Sequence, residues 1–66
     1  MFGMVKLNKT DELVVSTLKK AGKGLTLGEI AEISGESKKK IFKVLRKLFE
    51  NQIIECEDHQ YKLVNP

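Results

Sequence analysis

The chain reads as an α+β domain: three helices in succession, closed by a C-terminal β-hairpin. Two observations predict this. Up to Asn51 the apolar residues recur at three- and four-residue spacing in separate runs, and beyond it they alternate. Each run also opens on a capping residue, and glycine follows the first two. The only proline is Pro66, so nothing internal breaks a helix.

The first helix is expected near 9–21. Asn8 and Thr10 are both good caps, and Asp11 and Glu12 suit the positive first turn. Leu13, Val14, Thr17, Leu18 and Ala21 fall at helical spacing, Lys19 and Lys20 lie in the last turn, and Gly22 stops the helix. The second helix is expected near 27–34. Thr26 with Glu29 forms a capping box, Leu27, Ile30, Ala31 and Ile33 give the apolar side, and Gly35 ends it. Ser37 caps a third helix near 38–50. Strands near 53–57 and 60–64 follow, joined by the polar turn Glu57-Asp58-His59-Gln60. Along them Ile54 pairs its face with Cys56, and Tyr61 with Leu63. Leu25 is placed to add a very short third strand.

A chain of 66 residues allows one domain, 1–66, with little room for an enclosed active-site cavity. No apolar run approaches the roughly 20 residues of a membrane span. The opening Met1-Phe2-Gly3-Met4 lacks the pattern of a signal peptide, and either Met1 or Met4 can serve as the start. The lone Cys56 cannot form an internal disulfide, which points to a reducing, cytoplasmic setting. The net charge of +3 is unevenly spread. Up to Glu36, five lysines balance five acids. From Ser37 to Asn51, six cations face the single acid Glu50. From Gln52 on, Glu55, Glu57 and Asp58 outnumber Lys62. Positive charge gathered on one segment gives the domain a directed field.

The order of elements resembles the winged helix-turn-helix family over nearly the whole chain. The local signature is Ala31, then Gly35, then Ile41 with Val44. A small residue lets two helices approach, glycine takes the turn, and two aliphatics seat the second helix on the first. The resemblance implies a three-helix winged helix-turn-helix with a C-terminal β-hairpin wing, of the small prokaryotic and archaeal regulator type. In that family the third helix enters the major groove of DNA.

On the third helix Ile41, Val44, Leu45 and Leu48 form one stripe, with Phe42 and Phe49 widening it. The opposite side carries Lys39, Lys40, Lys43, Arg46, Lys47 and Glu50. The expected DNA-contacting set is Thr26, Ser37, Lys38, Lys39, Lys40, Lys43, Arg46 and Lys47. Thr26 and Ser37 enter because each stands at a helix start whose amides can hold a phosphate. Lysine suits phosphate, whereas base readout favours Arg, Asn and Gln, so modest sequence discrimination is expected. The hairpin tip is acidic, which keeps it off DNA or turns it towards a basic protein.

Cys56, Asp58 and His59 lie close in sequence but fall short of a four-ligand zinc set, and Cys56 alternates onto the core side of its strand. No second histidine or carboxylate pair supports catalysis, so neither an enzyme nor a cofactor is expected. Tyr61 reads as a core anchor with its hydroxyl at the surface. The leading expectation is double-stranded DNA binding by a transcriptional regulator or chromatin-associated factor. The alternative is a winged-helix protein-interaction module in a replication, transcription or RNA-processing assembly. Monomer and homodimer are both open, since the extra helix through which such regulators commonly dimerise is missing after Tyr61.

Overall fold

A computed structural model describes residues 6–64. The alternative starts, Met1 and Met4, lie outside the described residues. Helix α1 spans Lys9–Ala21, strand β1 Leu25–Thr26, helix α2 Leu27–Ser34 and helix α3 Lys38–Glu50. Strands β2, Ile54–Glu57, and β3, Gln60–Leu63, complete the chain. The sheet is antiparallel in the order β1-β3-β2. This is the α+β layout of a winged helix-turn-helix, with β2 and β3 as its wing.

The helices begin where their caps demand. Of the two candidates for α1, Asn8 is the cap, and it exchanges hydrogen bonds with Asp11 in a capping box. Thr26 and Glu29 do the same for α2. The hydroxyl of Ser37 accepts from the Lys40 amide at the start of α3. At the turn between α2 and α3, Gly35 takes φ 75° and its amide donates to the Ala31 carbonyl, closing α2 in the left-handed conformation glycine tolerates.

All three helices and two strands supply the core. Val14 and Leu18 of α1 meet Leu25, Ile30 and Ala31, the α3 stripe Ile41, Val44, Leu45 and Leu48, and Ile54 of β2. Truncating a fully buried aliphatic such as Leu45 costs about 2–5 kcal/mol in a core of this kind. Leu25 pairs with Tyr61 and Thr26 with Gln60, so the short third strand ties the α1–α2 connection to the wing.

Four apolar expectations are corrected. Phe42 and Phe49 are 49% and 52% exposed, and Leu13 and Ile33 also face solvent. Three short helices cover only the middle of each apolar arc, and these residues sit at its edges. Cys56 is exposed as well. Register sets it opposite Tyr61, and Ile54 opposite Leu63, so all four share one face of the hairpin. Only Ile54, at the base, is buried within β2; by Cys56 the wing has passed the edge of the core. At its tip Asp58 and His59 both take positive φ, as a two-residue type I′ turn requires.

Candidate nucleic-acid interface

The four buried residues of α3 fix its rotation, and that rotation sets which cations point outward. Lys38, Lys39 and Lys43 are exposed and make no ion pair among the described residues. Arg46 lies on the same outward arc, its Nε 3.4 Å from the Glu50 carboxylate one turn on, with both side chains well exposed. Lys40 leans back to Glu36 at 3.5 Å. Exposed pairs of this sort contribute at most about 1 kcal/mol, so a phosphate can displace either acid.

Lys47 departs from the expected set. Its ammonium pairs with the carboxylate of Asp11, which is 1% exposed. Asp11 also accepts from the Asn8 amide, so Lys47 supplies the charge that a buried capping carboxylate needs. The cation is committed to joining α3 to the start of α1. Helical spacing on α3 alone puts Lys47 with the outward cations, because its partner is 36 residues away.

The two helix starts also differ. At α2 the Glu29 carboxylate accepts from the Thr26 amide at 2.8 Å, while the Thr26 hydroxyl accepts from the Glu29 amide. The chain itself supplies the anion there. At α3 there is no acid in the first turn, and Lys38, Lys39 and Lys40 occupy it. Cations at the positive end of a helix dipole are unfavourable, by about 0.3–1 kcal/mol each at an exposed site. A bound anion relieves that repulsion and meets the free amides at once. Thus Ser37, Lys39, Lys43 and Arg46 form one surface, with Lys40 at one margin and Lys38 at the other, its stem reaching back towards Gly28 of α2. Thr26 stands on the separate α2 start, and Lys47 faces α1.

The wing has the opposite character. Glu55, Glu57, Asp58 and His59 are all exposed. Burial raises the Tyr61 phenol above its ordinary pKa, and Cys56 across the ladder acts in the same direction. Among the described residues no three His, Cys, Asp or Glu side chains gather where a metal ion could sit. No helix there is long and apolar enough to cross a membrane.

Comparison with protein-family models, with curated proteins and with solved structures gave no match to this chain.

Proposed function

We propose that the domain binds double-stranded DNA through the outward face and N-terminus of α3, as a transcriptional regulator or chromatin-associated factor of modest sequence specificity. One observation carries this reading: α3 begins with three lysines at its positive pole and no acid of its own. That arrangement costs stability in the free protein and is relieved by a phosphate. Lys39 and Lys43 extend the same charge along the helix, and the exposed Phe42 beside them is suited to a thymine methyl. Only Arg46 has the planar fork that reads guanine, so most of the affinity comes from the backbone.

The salt dependence of binding tests this. Three free lysines, joined by Lys40 and Arg46 once their acids are displaced, release about three to five counterions. Log K should then fall against log salt with a slope of about −3 to −4.5. A complex insensitive to salt rules the mechanism out. A second reading, docking of a basic protein on the wing, draws on the exposed acids Glu57 and Asp58 at its tip. It requires binding that survives loss of the α3 lysines.

A further inference from the structure

A second surface lies apart from the outward face of α3. The C-terminal half of α1, the turn after α3 and the base of the wing enclose an open groove of about 940 Å³. Its floor is apolar, made by Val15, Leu18, Ile53, Leu63 and Val64. Val64 is one of the exposed large apolar side chains among the described residues. Lys19, Lys23 and Lys62 stand around this floor, and among the described residues no acid lines it. The nearest acid by register is Glu55, opposite Lys62, yet the two make no ion pair. None of the three lysines belongs to α3.

An apolar floor with a cationic rim has a definite complement. We infer that the groove docks an acidic amphipathic helix of a partner protein, its apolar side chains on the floor and its carboxylates at Lys19, Lys23 and Lys62. Charge complementarity selects this occupant over nucleic acid, whose phosphates have no use for five aliphatic side chains. A second copy of the chain is a poor occupant. On α1 and α2 its exposed acids, Glu12, Glu29 and Glu32, stand beside a single exposed large apolar side chain on each helix, Leu13 and Ile33, and the acidic wing tip Glu57-Asp58-His59-Gln60 offers no apolar anchor. Addition of a strand is blocked at the groove, because the Val64 amide already donates to the Ile53 carbonyl. Docking therefore proceeds through side chains, as when a helix lies in a groove.

The test uses the full chain and a labelled helical peptide with leucine at every third and fourth position and glutamate elsewhere. Fluorescence anisotropy should show binding in the micromolar range. Backbone amide NMR shifts should concentrate at Val15, Gly22, Ile53 and Val64. The change Lys19→Glu with Lys23→Glu reverses two exposed charges, and Val64→Asp spoils the floor without touching a fully buried residue. Each should weaken the peptide by about tenfold or more. A peptide with glutamine for glutamate, or serine for leucine, should bind as weakly. The Lys19/Lys23 variant should keep its DNA affinity within about twofold, since the phosphate contacts lie elsewhere. The variant Lys39→Glu with Lys43→Glu should keep its peptide affinity, which separates this inference from the DNA reading. Full peptide binding by the Lys19/Lys23 variant overturns it, as does equal binding of the glutamine peptide. Shifts confined to the outward face of α3 overturn it too, as does occupation by decanoate or anionic vesicles with none by the peptide.

Discussion

Thr26 and Ser37 hold the starts of α2 and α3 in the same way: an extended backbone and a hydroxyl that accepts from the third helical amide. What differs is the residue carrying that amide. At α2 it is Glu29, which closes the box from within; at α3 it is Lys40, which does not. The same cap thus gives one saturated helix start and one whose first turn carries no acid, its nearest carboxylate being Glu36 outside the helix. The contrast teaches that cap geometry alone does not make a phosphate site. The charge of the first turn decides whether the chain fills the site itself or leaves it to a ligand.

The strongest way to break the comparison is to reverse the charge that distinguishes α3. Lys39→Glu with Lys43→Glu should lower affinity for duplex DNA by about hundredfold, taking ~1.4 kcal/mol for each of the two lysine–phosphate hydrogen bonds removed. The melting temperature should hold or rise, and the salt slope should shrink by about two. Unchanged affinity in a titration at fixed salt removes α3 from the interface. Next comes Lys47→Met, which asks whether that cation belongs with the outward set. It strips Asp11 of its partner and should cost about 1–3 kcal/mol in denaturant unfolding, with little loss of DNA affinity at temperatures where the variant is folded. A large affinity loss at wild-type stability would place Lys47 back on the DNA face.

Lys40→Glu converts the α3 start into the α2 kind by completing a capping box with Ser37. Thermal melts should show a net gain of a few tenths of a kcal/mol, since loss of the Glu36 pair and repulsion from Glu36 offset part of the capping and dipole gain, while DNA affinity falls several-fold. If both quantities fall together, the lysines are not repelled by the helix dipole. Glu29→Gln makes the smallest change. Glutamine keeps the box at α2 and removes only the charge, so stability should drop by a few tenths of a kcal/mol. Competition binding should find DNA affinity equal or slightly higher. A marked loss of affinity would give Glu29 a role that its internal hydrogen bonds do not suggest.

The helices were legible because their boundaries are written in local chemistry. Asn8, Thr26 and Ser37 start them, and Gly22 and Gly35 end two of them, each acting within a few residues. The α3 stripe was equally legible, since four aliphatics on one arc admit one rotation. What spacing could not show is how much of an arc the neighbours cover, which is why Phe42, Phe49, Leu13 and Ile33 emerge exposed. Nor does alternation along β2 reveal where the wing outruns the core, and Cys56 lies beyond that point. The tip turn carries no glycine to announce its type, although both central residues take positive φ. At the candidate site the cations were visible but their partners were not. Glu36, Glu50 and above all Asp11 divide the lysines and Arg46 into free, exchangeable and committed groups.

In the order β1-β3-β2, strand β2 lies at the rim of the sheet with one row of backbone groups unpaired. Such a rim is a template for uncontrolled strand addition between molecules. Here it carries Glu55 and Glu57, on the face opposite Ile54 and Cys56. Two copies meeting rim to rim in antiparallel fashion about Cys56 would set Glu55 of each against Glu57 of the other. Like charges directly opposite destabilise a strand pair. The carboxylates of the wing therefore disfavour that pairing.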